Sequence, residues 1–432
     1  MTTATQEAIA AVWRIESARI VGAVARMVRD VGTAEDIAQD ALLAALDHWT
    51  REGLPDRPGA WLMTTAKHRA LDHLRHLRMR DEKHAELGAD LEAREALVVP
   101  DFVDALDAAR QDEIGDDLLR LMFTACHPVL PTDARVALTL RLLGGLSTQE
   151  IARAFLVPEP TIAQRIVRAK RTLGEARVPF ELPRGEALGE RLASVLEVIY
   201  LVFNEGYTAT AGDDWMRPAL AQEALRLGRV LAGLARTEPE VLGLLALMEL
   251  QASRMGARTD AQGRPVLLAD QDRGRWDRLL IRRGLAALER AEALGGARGP
   301  YVLQAAIAAC HARAVAAPET DWLRIADLYA ELAAVMPSPV VELNRAVAVG
   351  MAHGPAAGLQ ILEPLRTHKA MRQYPWLPGV RGDLLARLGR HAEAAAEFAQ
   401  AAALAGNARE RELMQARATE AVRAAEGPAQ RN

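Results

Sequence analysis

Arg57-Pro58-Gly59-Ala60-Trp61-Leu62 is the clause whose reading decides the fold, because it joins two helical patterns through a loop and opens the second on a basic face. Upstream, Thr33-Ala34-Glu35-Asp36 has the spacing of a capping box, and Ile37, Ala41, Leu42, Ala45, Leu46 and Trp49 recur at helical intervals. Gly53 and Pro55 break that period between Arg51 and Asp56, and Pro58 suits a first helical residue. Downstream, Leu62, Ala66, Ala70, Leu74 and Leu77 define an apolar side, with Lys67, Arg69, Arg75, Arg78 and Arg80 opposite. A loop held between two helices beside an aromatic ring and a basic face suits gripping a nucleic-acid strand and stacking an unpaired base.

Working outward, Ile9 to Asp30 reads as a preceding helix, with Ile9, Val12, Trp13, Ile20, Val24 and Val28 at core spacing and Gly32 as its stop. Charge is sorted into blocks. Residues 61–80 hold five Lys or Arg against the single acid Asp72, whereas 81–117 hold thirteen acids against Lys83, Arg94 and Arg110. The net charge of −4 therefore does not argue against a nucleic-acid partner, since the distribution overrules the total. Within the acidic stretch, Val98, Val99, Phe102, Val103 and Leu106 are apolar enough for a short helix.

Further on, Ser147-Thr148-Gln149-Glu150 forms a second capping box. It opens a short helix, then the turn Leu156-Val157-Pro158-Glu159, then a helix from Thr161 to Arg171, which together have the length and pattern of a helix-turn-helix. The second helix buries Ile162, Ile166 and Ala169, and leaves Gln164, Arg165, Arg168, Lys170 and Arg171 outward, the donors that reach phosphates and guanine edges.

Ala34-Glu35-Asp36-Ile37-Ala38-Gln39-Asp40, Ala60-Trp61-Leu62 and Ala66-Lys67-His68-Arg69-Ala70-Leu71-Asp72-His73-Leu74-Arg75 resemble region two of sigma-70 transcription initiation factors of the extracytoplasmic-function (ECF) group. The block from 116 to 177 resembles region four of that family, with Leu156 and Pro160 standing where glycines are common. The resemblance implies core RNA polymerase and promoter DNA as partners. It implies polymerase docking through Asp36, Gln39, Asp40 and Leu43; downstream-element binding and melting through Trp61, Lys67, His68, Arg69, Arg75 and Arg78; and upstream-element binding through Thr161, Gln164, Arg165, Arg168, Lys170 and Arg171. It also implies that the acidic connector threads the polymerase near the nascent RNA.

The 432 residues exceed what a minimal sigma factor needs. Half are hydrophobic, only 4% aromatic, and strand signals are missing, so the expected fold class is all-α. The expected organisation is region two at 8–80, an acidic linker at 81–115, region four at 116–177, and a helical domain at 186–425 resembling tetratricopeptide (TPR) repeats, with helices near 216–235, 238–254, 275–294, 300–315, 321–335 and 338–351. Gly382, Leu385, Gly389, Ala394, Phe398 and Ala401 carry the repeat spacing, and Ala346 to Leu365 a weaker copy. Leu188 to Phe203 is apolar on more than one face, and Asn204-Glu205-Gly206-Tyr207 is similar to what one ECF group with a long C-terminal extension carries.

Other chemistry is sparse. Cys126-His127 and Cys310-His311 lack a second ligand pair, and His68, His73 and His76 read as surface, so neither metal nor cofactor is expected. The two distant cysteines fit a reducing, cytoplasmic setting, and no apolar run has the length of a membrane span. Asp270 to Asp277 is a polar cluster that would line a pocket or form a loop before a capped helix. The expected function is a sigma factor, not an enzyme, with a protein regulator acting at the C-terminal domain. The competing readings are a TPR-type sensor or scaffold with DNA binding as output, and an enzyme using Glu205 or Asp272.

Overall fold

The computed structural model describes residues 3–85, 110–183, 185–210 and 212–426; the apolar group from Val98 to Leu106 lies outside them. The fold is all-α, and divides into compact units at 1–198 and 199–432.

In the first unit, α1 (Thr3–Val28), α2 (Val31–Glu52) and α3 (Pro58–Ala85) form a bundle on which α4 (Arg110–Ala125) packs. Alanine is the reason the bundle is tight. Ala34, Ala38, Ala41 and Ala45 make a buried small-residue stripe along α2, which packs on α1 and α3, where Ile20, Val24, Leu62, Ala66 and Ala70 are buried too, and Trp49 is fully buried at the end of the stripe. The first turn differs from expectation. Helix α2 begins two residues before Thr33, and its cap is Asp30, whose carboxylate accepts from the Thr33 N–H at 2.6 Å. Helix α1 stops at Val28 because Arg29 turns left-handed (φ 57°), so Gly32 lies inside α2 rather than ending α1. Leu77, expected inside, is 38% exposed, because α3 outruns the helices it packs against.

Helices α5 (Thr132–Leu142), α6 (Thr148–Phe155) and α7 (Glu159–Glu175) complete the block. The second capping box forms as read: Ser147 Oγ accepts from the Glu150 N–H at 3.1 Å, and Glu150 Oε2 accepts from the Ser147 N–H at 2.8 Å. Leu156 then takes φ 52°, the left-handed turn that explains why glycine is common there. Pro160 sits in the first turn of α7, where its missing N–H leaves no bond unmade. Helix α8 (Glu186–Tyr207) buries Leu192, Val195, Leu196, Val198, Ile199, Val202 and Phe203. Within the first unit Arg191 donates to the Phe123 carbonyl (2.9 Å), Ser194 to that of Cys126, and Glu197 pairs with Arg135 (2.9 Å).

The second unit continues with α9 (Pro218–Leu234), α10 (Pro239–Ala252), α11 (Arg278–Ala293), α12 (Pro300–Arg313), α13 (Trp322–Val335), α14 (Pro339–Ala352), α15 (Pro355–Leu362), α16 (Trp376–Arg387), α17 (His391–Leu404) and α18 (Ala408–Glu426). Its core runs on from helix to helix. Leu303, Leu328 and Val341 join α12 to α14; Leu343, Leu362 and Leu384 join α14 to α16; Leu385, Phe398 and Met414 join α16 to α18. Small residues allow the approach, as at Gly382, where an added Cβ would stand 2.9 Å from the Phe398 ring.

Candidate nucleic-acid interface

Trp61 opens α3 half-buried, stacked on His48 with ring centres 5.4 Å apart and planes at 14°, and edge-on to Trp49 at 5.4 Å. Its indole is thereby held against α2 by two rings. Along the same helix His68, Arg69, Arg75 and Arg78 are exposed and Lys67 is half-buried. Arg69 reaches Asp40 of α2 at 3.6 Å, and Arg75 is paired with Asp72 at 3.0 Å. Both pairs are solvent-exposed, so an incoming phosphate can displace them at small cost.

Helix α7 presents Gln164 and Arg168 to solvent, with Thr161 and Arg165 half-exposed. Arg165 lies 3.3 Å from Asp133, and Arg171 3.4 Å from Glu175. Ile162, Ile166, Ala169 and Leu173 face inward at helical spacing, which orients the polar set.

Lys170 does not face out. Its ammonium lies 2.6 Å from Glu35 Oε2 and 3.4 Å from Asp36 Oδ1, with only 19% of the side chain exposed. The Glu35 carboxylate is buried (4% exposed), and its other oxygen accepts from Arg141 Nε at 2.6 Å and Gln39 Nε2 at 2.5 Å. Burial works against the charge on Glu35, but Lys170 and then Arg141 outweigh it and hold the carboxyl below its ordinary value. One buried carboxylate thus ties the α2 face to both α5 and α7. Sequence reading missed Glu35 and Arg141. The available signal was position, since Glu35 falls beside Val31 and Ala38 on the apolar stripe, where a charge needs a partner from elsewhere.

On the rest of α2, Asp36, Asp40 and Leu43 are exposed, Leu43 by 61%. Leu43 borders a groove of about 440 Å³ lined also by Trp13, Leu42 and Leu46, with the Arg14–Glu150 pair (3.0 Å) at its rim. Among the described residues no three His, Cys, Asp or Glu gather as a metal site, and no helix is long and apolar enough to cross a membrane. Glu205 is engaged by Arg217 and Thr210, and Asp272 caps the Gly274 N–H at 2.8 Å.

A helical bundle with an aromatic and basic helix, followed by a capped helix-turn-helix, defines a two-block nucleic-acid-binding factor. Comparison with known families bears this out: residues 12–80 match sigma-70 region 2, 120–173 match sigma-70 region 4, and 191–292 match a family of unknown function (DUF6596). An uncharacterized protein of Rhizobium meliloti is 45% identical over 392 residues, covering 90% of each chain. A probable RNA polymerase sigma-C factor of Mycobacterium bovis is 32% identical over 35% of this chain and 75% of its own, and the RNA polymerase sigma-H factor of Pseudomonas aeruginosa 30% over 38% and 82%. No solved structure matches. The chain belongs to the ECF group of the sigma-70 family, carrying a C-terminal extension, and as such is a factor that directs RNA polymerase in transcription.

Proposed function

We propose that this sigma factor reads its promoter with the residues that the two blocks bring to their surfaces, and that the ion pairs at Glu35 hold the blocks together until polymerase separates them. The polymerase-docking face is Asp36, Gln39, Asp40 and Leu43, with the groove beside Leu43 as its apolar part. Trp61 with Lys67, His68, Arg69, Arg75 and Arg78 takes the downstream element and the melted strand. Thr161, Gln164, Arg165, Arg168 and Arg171 take the upstream element in the major groove. Lys170 belongs with them only after it leaves Glu35, since one ammonium cannot serve the carboxylate and a phosphate at once.

The observation that carries this reading is the exposed face of α7: Arg168 has no carboxylate within 4 Å among the described residues, so its charge is free for DNA. The C-terminal extension, a TPR-like stack of small-residue helix pairs, acts in regulation. Its supporting feature is the helical core continuous from α12 to α18. The test is promoter binding by holoenzyme with Arg168→Ala. A base contact costs about 1–3 kcal/mol and relaxes specificity at one position, whereas a phosphate contact weakens binding evenly and lowers the salt slope by about one. Unchanged binding by Arg165→Ala and Arg168→Ala together removes α7 from the interface.

A further inference from the structure

Three arginines of the second unit lie in or near the core without a carboxylate. Arg258 is 7% exposed, its guanidinium 3.6 Å from the Tyr207 ring centre and 5.3 Å from that of Trp215, and it donates to the Tyr207 carbonyl and to Thr208 Oγ1 (2.8 Å), so it supplies charge to its surroundings rather than free donors. Arg273 is 6% exposed and 5.0 Å from the Trp276 ring centre; it donates to the His311 carbonyl (2.7 Å), the Ala314 carbonyl (2.9 Å) and Thr320 Oγ1 (2.8 Å). Arg254, between them and half-exposed, is 5.9 Å from Tyr207 and 5.8 Å from Trp276, and its guanidinium meets no acceptor among the described residues. The acids nearby bond elsewhere: Asp272 to the Gly274 N–H, Asp277 to those of Leu279 and Leu280, and Glu319 to that of Val315, from where it attracts Arg273 at a distance without pairing with it.

Aromatic faces soften such charge but do not cancel it, and unpaired cations under a protein surface are costly. The donors left over point the same way. Arg254 Nε, Arg273 Nε, Trp215 Nε1 and Trp276 Nε1 are buried and unsatisfied. His311, which stands edge-on to Trp322, is driven to about 3 by burial and then by Arg254 and Arg273, so it adds no charge of its own but records the positive surroundings. Cations, idle N–H donors and aromatic walls are the complement of an anion.

We propose that Arg254, Arg258 and Arg273 form a binding site for a small anionic ligand carrying a phosphate or carboxylate group, entered at the exposed side of Arg254. The anion bridges the Arg254 fork and the unused donors at Trp276 and Arg273. This site also absorbs the Asp270–Asp277 cluster, whose Asp272 and Asp277 cap the turns that follow them and whose Arg273 and Trp276 line it. Nothing in this inference depends on the roles proposed for the first unit.

The experiment is titration of the full-length protein with inorganic phosphate and, in a separate arm, citrate, at constant ionic strength, following tryptophan fluorescence and melting temperature. A saturable response to one arm names the group. Arg254→Gln is expected to raise the half-saturating concentration at least tenfold, and Arg254→Lys, which keeps charge but loses the planar fork, to raise it by less. Arg168→Ala is expected to leave it unchanged. No saturable response to either anion overturns the proposal, as does an equal response in both Arg254 variants. A response that disappears with Arg168→Ala assigns the anion to the DNA-facing helix and likewise overturns it. If Arg254→Gln does not fold, Arg254→Lys and the wild-type titrations decide alone.

Discussion

Replacing Lys170 by Met tests whether its ammonium holds the two blocks together or reads DNA. In the structure Lys170 supplies one of two cations on the buried Glu35 carboxylate, and the substitution leaves Arg141 and Gln39 in place at 2.6 and 2.5 Å. One charge-assisted contact is worth about 1.5–3 kcal/mol, and the lower half of that range applies because Lys170 keeps some solvent access. A loss of about 1.5–2 kcal/mol shifts the closed-to-open ratio roughly ten- to thirtyfold. Since apparent affinity scales with the fraction already competent, Lys170→Met should bind core polymerase about ten times more tightly, measured by anisotropy of a labelled sigma. Glu35→Gln should go further, because it leaves Arg141 without a carboxylate and Lys170 with only the exposed Asp36 at 3.4 Å, a change on the order of 3 kcal/mol. The depressed Glu35 carboxyl sets the pH dependence: the contact is fully present above the ordinary carboxylate value of 4.5 and is lost as pH falls through the lower folded value. The reasoning fails if Lys170→Met binds polymerase as the wild type does while losing promoter use to the same degree as Arg168→Ala.

Leu156→Gly, at the exposed left-handed turn of the helix-turn-helix, should raise stability by roughly 0.5–1 kcal/mol: relief of about 1–2 kcal/mol of backbone strain exceeds the added freedom of the unfolded glycine. Thermal melting checks it, and a lower melting temperature contradicts it. In the second unit, burial pushes the Glu410 carboxyl up to about 7, so folding favours its protonated form. Stability should then decline as pH rises from about 4.5 to 7, by at most roughly 3 kcal/mol, and level off above. Glu410→Gln should flatten that part of the pH profile in denaturant titrations; an unaltered profile assigns the dependence to another group.

What could be read before the structure follows from how local the cause is. Ser147 and Glu150 form their box within four residues, and the α7 stripe of Ile162, Ile166 and Ala169 needs only helical geometry, so both were legible. The helices from α9 to α14 fell close to their expected spans; of the repeat positions, Leu385, Ala394, Phe398 and Ala401 share one cluster with Gly382 against the Phe398 ring, whereas Gly389 stands in the open as a left-handed turn (φ 74°). Thr33 misled because Asp30, three residues earlier, caps the helix first by accepting from the Thr33 N–H, which puts Thr33 inside the first turn instead of at its start. Lys170 misled because its helix position is outward on α7 alone, and becomes inward only when α2 lies against it. The carboxylate-free arginines of the second unit were beyond sequence reading, since Arg254 and Arg258, on one turn, are brought together with Arg273 from a separate chain segment, and nothing local marks them as lacking acids.

The most direct measurement of the central claim is run-off transcription with purified core RNA polymerase on a set of candidate promoters, comparing full-length protein with Arg165→Ala/Arg168→Ala. The account predicts promoter-specific transcripts that need the added protein and fall at least tenfold with the double substitution while binding to core enzyme persists. Transcripts at equal levels from both proteins, or core enzyme that retains neither, would contradict it.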